Sequence, residues 1–124
     1  MATVLIADDD VLMRAILRDA LKRAGHEVRE AATGLDALKE AEEAPPDCVV
    51  LDVMMPTASG IEVCREIRRT APDTRIVIVS GRAGDADRRA GMDAGADLYV
   101  TKPFDPGRVA QLVGRLCRSR SARA

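Results

Sequence analysis

The chain contains no tryptophan, one tyrosine (Tyr99) and one phenylalanine (Phe104). With so few flat rings it cannot build a row of stacking platforms for unpaired bases. It also lacks charge of one dominant sign: 19 basic and 20 acidic side chains leave a net charge of −1. Direct binding to nucleic acid or to an anionic membrane surface is therefore not expected. Long apolar runs are missing, and none approaches the roughly 18 residues that span a bilayer. No basic-then-apolar leader precedes the first strand, so a cytoplasmic location is expected. The three cysteines, Cys48, Cys64 and Cys117, are odd in number, lack C-x-x-C spacing and lie within apolar patterns. They read as reduced thiols packed in a core, not as a disulfide framework or zinc site. The single histidine, His26, reads as a solvated turn residue.

What is present is ample for one domain: 124 residues, 47% apolar and 31% charged. Short apolar runs alternate with segments of helical period, the mark of an α/β fold with a mainly parallel sheet. Strands are predicted near Thr3–Ala7, Glu27–Ala31, Cys48–Asp52, Arg75–Val79 and Asp97–Thr101. The second is the most polar and suits an edge; the third is apolar on both faces and suits the centre. A helix is predicted from Val11 to Ala24, capped by Asp10 and stopped by Gly25, with Ile16, Leu17, Ala20, Leu21 and Ala24 on one face. Further helices are expected over Gly34–Glu43 (anchored by Leu35, Leu38 and Ala41), from Ser59-Gly60 through Ile61, Cys64 and Ile67, and from Asp105-Pro106 with Val109, Leu112, Val113 and Leu116 inward. The segment Gly84–Ala94 is the odd one. It is highly charged, Gly91 interrupts it, and only Ala86, Ala90, Met92 and Ala94 are candidates to pack, so a marginal helix is expected there. The domain is expected to span residues 1–118, with 119–124 a flexible tail or the start of a linker.

Four of the apolar runs end in chemistry. The first runs into Asp8-Asp9-Asp10, the third into Asp52, the fourth into Ser80 and the fifth into Lys102-Pro103. If these runs are parallel strands, all four ends share one edge of one sheet, where open α/β sheets bind ligands. Carboxylates converging there repel one another by some kcal/mol at about 4 Å unless a cation compensates. Their hard oxygens suit Mg²⁺.

On these residues the chain resembles the receiver domain of bacterial two-component response regulators. The likeness rests on Asp8-Asp9, on Asp52 followed by Met55-Pro56 and Gly60, and on Ser80-Gly81. It rests further on Gly95-Ala96-Asp97, on Tyr99, and on Lys102-Pro103-Phe104, and so covers essentially the whole chain. The resemblance implies a flavodoxin-like doubly wound (βα)5 fold with a five-stranded parallel sheet of order 2-1-3-4-5. It implies Asp52 as phosphoryl acceptor and Mg²⁺ held by Asp9, Asp52 and the main-chain carbonyl of Met54, with Asp8 contacting the metal mostly through water. Lys102 and Ser80 would contact phosphoryl oxygens, helped by the amides of Met54 and Gly81, and the Lys102–Pro103 peptide would be cis. Ser80 and Tyr99 would form the switch, Tyr99 turning inward as Ser80 moves, which changes the surface of the fourth helix, fifth strand and fifth helix. The phosphodonor would be a sensor histidine kinase or a histidine phosphotransfer protein. The receiver would then bind an unknown downstream protein or output domain, or a second copy of itself. It would be no enzyme for outside substrates, catalysing only its own phosphorylation and dephosphorylation.

Two details are specific to this chain. Ser80 stands where threonine is more frequent and keeps the hydroxyl. Met54 and Arg82 flank the expected path of an attacking water, and the bulk of Met54 would slow loss of the phosphoryl group. Arg82, Arg88 and Arg89 form a basic cluster that is either a partner surface or a solvated patch. Rival readings fit less well. An aspartyl-phosphate hydrolase would carry a second Asp where Met54 stands, and a flavodoxin-like cofactor binder would carry a Ser/Thr/Gly-rich phosphate loop where the Asp triplet stands. A degenerate receiver, serving only as an interaction module, is disfavoured by the intact set of Asp9, Asp52, Ser80 and Lys102. Whether the chain acts alone or is a domain of a larger regulator stays open.

Overall fold

A computed structural model of the chain describes residues 2–55 and 59–123, with side chains described as far as residue 118. Strands and helices alternate strictly along it: β1 (Thr3–Ala7), α1 (Val11–Arg23), β2 (Glu27–Ala31), α2 (Gly34–Glu43), β3 (Cys48–Asp52), α3 (Gly60–Thr70), β4 (Arg75–Ser80), α4 (Asp85–Asp93), β5 (Leu98–Thr101) and α5 (Pro106–Arg123). The five strands form one parallel sheet in the order β2-β1-β3-β4-β5, the flavodoxin-like doubly wound arrangement expected from sequence. β2 is an edge, as its polarity predicts, and every residue of β3 is buried.

The two-residue period of the strands sorts the core into two halves. Val4, Ile6, Cys48, Val50, Val77 and Val79 face α1 and α5, where they meet Leu17, Leu21, Val109 and Val113. Leu5, Val49, Leu51, Ile76 and Ile78 face the other side, against Ala37 and Ala41 of α2 and Val63, Cys64 and Ile67 of α3. Each Val, Leu or Ile side chain so removed from water contributes about 1.5–3 kcal/mol. Local signals set the helix ends. The Asp10 carboxylate accepts the amides of Leu12 and Met13, Thr33 accepts that of Asp36 and Ser59 that of Ile61.

Several sequence expectations need correction. Leu35 is 67% exposed, Ile16 and Ala24 also face water, and the inner face of α1 is Met13, Leu17, Ala20 and Leu21. Leu112 is only half-buried, and Ala110 takes a place in the core beside Val109 and Val113. In α4, Ala86, Ala90 and Met92 are exposed, and the helix's one buried residue is Gly91. His26 is not a solvated turn residue. It is half-buried, and its Nδ1 accepts the Ala2 amide at 3.2 Å. Burial lowers its pKa. None of the three cysteines forms a disulfide among the described residues, as expected; Cys48 and Cys64 are buried and Cys117 half-buried. The helix α5 continues past residue 118 to Arg123. Pro56, one of the landmarks of the resemblance, lies outside the described residues. Among the described residues no helix is long and apolar enough to cross a membrane.

Candidate functional site

Strand register builds the site. Because β1 lies between β2 and β3, the chain reverses its direction of winding at β1 and β3, the position where sheets of this kind leave a crevice at their carboxyl ends. Asp8 and Asp9 follow β1 there, and Asp52 is the last residue of β3. Asp52 lies opposite Val79, and Ser80 lies opposite Thr101, so Ser80 and Lys102 fall one residue beyond these pairs on the neighbouring strands. All the residues singled out for chemistry except Tyr99 are thus carried by strand ends or the first residues after them.

Carboxylate oxygens of Asp8, Asp9 and Asp52 lie within 4.8 Å of one another. Asp8 and Asp52 are buried and Asp9 is exposed. The Oδ1 of Asp8 accepts the Asp10 amide at 2.9 Å. The Oδ1 of Asp52 accepts the Met54 amide at 3.0 Å. Lys102 Nζ donates to the other Asp52 oxygen at 3.2 Å. One ammonium therefore faces three carboxylates. The imbalance shows at Asp8, whose pKa is pushed up from 3.8 to about 6, first by burial and then by the neighbouring Asp52. A cluster with this donor set and this uncompensated charge fits a hard divalent cation.

The remaining residues hold the frame. Ser80 is fully buried, and its Oγ accepts the Arg82 amide at 3.0 Å, which leaves its own O–H available to donate. The main-chain carbonyl of Ser80 accepts the Lys102 amide at 2.7 Å, tying β4 to the residue that carries the ammonium. The Lys102–Pro103 peptide is cis. Gly60 opens α3 directly against the end of β3; a Cβ there would stand 2.6 Å from the main-chain oxygen of Asp52, so no other residue allows this approach. Tyr99 is buried on β5, and its hydroxyl donates to the Arg82 carbonyl at 2.7 Å.

The match to a family model decides what this arrangement is. Residues 4–114 match the model of the response regulator receiver domain. The chain belongs to that family. Among curated relatives, the response regulator MprA of Mycobacterium sp. (strain KMS) is 46% identical over 101 residues, covering 82% of this chain and 44% of that protein. The receiver thus spans less than half the length of the curated relatives it matches. Among solved structures, a BeF3-activated DrrB receiver domain superposes with a TM-score of 0.89 at 36% identity, covering 95% of this chain and 98% of that one. A CheY-like receiver domain protein from Methanospirillum hungatei gives a TM-score of 0.95 over the whole chain and 99% of its own length, at 24% identity, which speaks for the fold.

Sequence reasoning missed two features of this receiver's site. Arg14, on α1, donates through Nη1 to the Asp8 carbonyl at 2.7 Å and through Nε to Glu30 at 3.3 Å, bracing the end of β1. Its place one helical turn after the Asp10 cap was the available signal. The second is a collar of exposed apolar side chains around an acidic edge: Val11, Leu12, Leu35 and Met54 are each more than half exposed. Next to it, an apolar groove of about 550 Å³ is lined by Met13, Ile16, Lys102, Pro103, Phe104 and Pro106.

Proposed function

We propose that this receiver accepts a phosphoryl group on Asp52 from the phosphohistidine of a sensor histidine kinase or histidine phosphotransfer protein. The observation that carries the reading is the state of Asp52. It ends the buried central strand, one oxygen is fixed by the Met54 amide and the other by Lys102, and it stands within a compact acidic cluster. In transfer, an Asp52 oxygen attacks phosphorus as the bond to the imidazole nitrogen breaks. Lys102 follows the negative charge from the carboxylate to a phosphoryl oxygen, and the Ser80 hydroxyl donates to another. Asp8, Asp9, Asp52 and the main-chain carbonyl of Met54 would hold Mg²⁺, which when bound supplies charge neutralisation for the phosphoryl oxygens. The apolar collar and groove give a donor protein something to rest on beside charge that would otherwise repel a phosphate.

The consequence is a change of packing. Ser80 and Tyr99 form the switch, and the surface of α4, β5 and α5 is what a downstream protein, an output domain or a second copy of the chain would sense. Phosphorylation moves that equilibrium only by its different interaction with the two packings. The chain acts on its own Asp52 and on no outside substrate. It works in the cytoplasm, with residues 1–118 as the receiver and 119–124 as a tail or the start of a linker, alone or within a larger regulator.

The deciding experiment is intact mass after incubation with acetyl phosphate, with and without Mg²⁺, beside an Asp52→Asn variant. The expected result is a Mg²⁺-dependent gain of one phosphoryl group that the variant lacks. No gain in wild type, with the kinase domain of a cognate sensor also failing, would turn the reading toward a plain interaction module.

A further inference from the structure

The helix α4 is hard to explain by its own sequence. It has no apolar stripe, its alanines at 86 and 90 point to water, and it carries a glycine, a poor helix former, one residue from a methionine that is itself exposed. What it rests on is Tyr99. A Cβ built at Gly91 would stand 2.8 Å from Cδ2 and 3.1 Å from Cε2 of the Tyr99 ring, and 3.1 Å from Cδ1 of Ile78. Real Cβ atoms essentially never come as close as the first of these, and the other two are tighter than ordinary contact. The Ile78 methyl is a flexible end and can yield. The ring is planar and stiff, so a methyl group there must be cleared by turning the ring about χ1 or by lifting the helix off it.

The ring is held on its other sides too. The Tyr99 hydroxyl donates to the Arg82 carbonyl at 2.7 Å, and the Arg82 amide donates to Ser80 Oγ at 3.0 Å. The Arg88 guanidinium carbon lies 5.5 Å from the ring centroid, a cation–π distance, while Arg88 Nη1 donates to the Tyr99 carbonyl at 3.3 Å. The Gly91 carbonyl in turn accepts the Ala96 amide at 3.2 Å, which anchors the helix at the point of contact. The Arg82 and Gly91 carbonyls are main-chain groups that any side chain would leave in place, whereas the Arg88 guanidinium and the empty volume at Gly91 depend on the helix sequence.

We propose that Gly91 is a positioning residue for Tyr99: the missing side chain is the seat of the inward ring, and it sets the balance between the ring's inward and outward positions. The seat itself rests on geometry alone. Its meaning for signalling rests on the reading of Tyr99 as part of the switch.

The chain reports on itself here, because Tyr99 is its one tyrosine and there is no tryptophan. Acrylamide quenching of tyrosine emission from the full chain therefore reads the exposure of this ring. Without phosphodonor, Gly91→Ala is expected to raise the quenching constant several-fold with far-ultraviolet circular dichroism unchanged. In a Tyr99→Leu background, with the ring gone, the same substitution is expected to raise the urea midpoint, because alanine is the better helix former; in the wild-type background it is expected to lower it. Unchanged quenching, or an equal rise of the midpoint in both backgrounds, would overturn the proposal. So would a Gly91→Ala protein that fails to fold in both backgrounds, since removing the ring should rescue it. Adding acetyl phosphate and Mg²⁺ then separates the two layers. If Gly91→Ala gains its phosphoryl group like wild type while its quenching stays high, the seat couples the switch to phosphorylation. If neither protein gains mass, the phospho-acceptor reading fails, and quenching without phosphodonor still decides the seat.

Discussion

The two ends of the sheet treat the same side chain in opposite ways. At the amino end, Asp97 is served by three donors: Arg68 Nη2 at 2.9 Å, Arg75 Nη1 at 3.2 Å and the Ile76 amide at 2.8 Å. Arg68 also donates to the carbonyls of Gly95, Pro72 and Thr74, closing the loops around it. At the carboxyl end, three aspartates cluster beside one ammonium, which reaches Asp52 at 3.2 Å. One end has more donors than acceptors and serves the fold. The other is left short of positive charge, and that deficit is what a cation and a phosphoryl group can use. Natural proteins break the rules of local satisfaction mainly where they work.

The sharpest way to break the comparison is at the satisfied end. Asp97→Ala leaves Arg75, whose side chain is only 4% exposed, without its carboxylate. Its Nε and Nη2 already lack partners among the described residues. Stranding a buried charge in this way costs about 3–5 kcal/mol, read as a lower urea midpoint, and a loss below a fifth of that would mean the network is ornamental. At the deficient end the sign should reverse. Asp8→Asn keeps an acceptor for the Asp10 amide and removes one repelling charge, so the metal-free protein should gain about 1 kcal/mol, as functional sites often do when relaxed. In millimolar Mg²⁺ the advantage should shrink or invert, since the variant loses a ligand.

Acidity sharpens the same contrast. Between pH 3.8 and about 6 the folded protein binds a proton at Asp8 that the unfolded chain does not. Metal-free wild type should therefore become more stable as pH falls through about 6, with this contribution complete near the ordinary carboxylate value. The measure is the melting temperature of wild type minus that of Asp8→Asn across this range; a flat difference would remove Asp8 as the cause. The smallest expected effect is kinetic. Met54, 57% exposed beside Asp52, is expected to shield the acyl phosphate, so Met54→Asn should shed its phosphoryl group several-fold faster by intact mass, with labelling itself unchanged.

Much of this was legible in the sequence because the strands are short, apolar and end in chemistry. The ends of β1 and β3 coincide with the predicted ones, as does the Asp10 cap, and the aspartates after β1 and at the end of β3 come together as expected. Failures cluster where packing depends on a partner far away in the chain. Leu35 and Ile16 fit a helical stripe by spacing, yet the stripe's phase against the sheet is set by tertiary contact. In α4 the small residues carry no periodic signal, and Gly91 reads as a flaw until the Tyr99 ring is seen beneath it. His26 is half-buried because the Ala2 amide needs an acceptor where β1 begins, 24 residues away. Arg68 gathers three carbonyls from two separate loops, and no local pattern announces it.

The complete burial of β3 has a mechanical consequence. Asp52 is fastened to the part of the molecule with neighbours on every side, the strand whose amides should be the last to exchange with solvent. A load applied there cannot be absorbed by local give. It must be expressed where the structure is soft, and the softest neighbour is α4, a helix that touches the core through a glycine. The chain thus places its anvil on the central strand and its spring on the helix that follows the neighbouring strand β4.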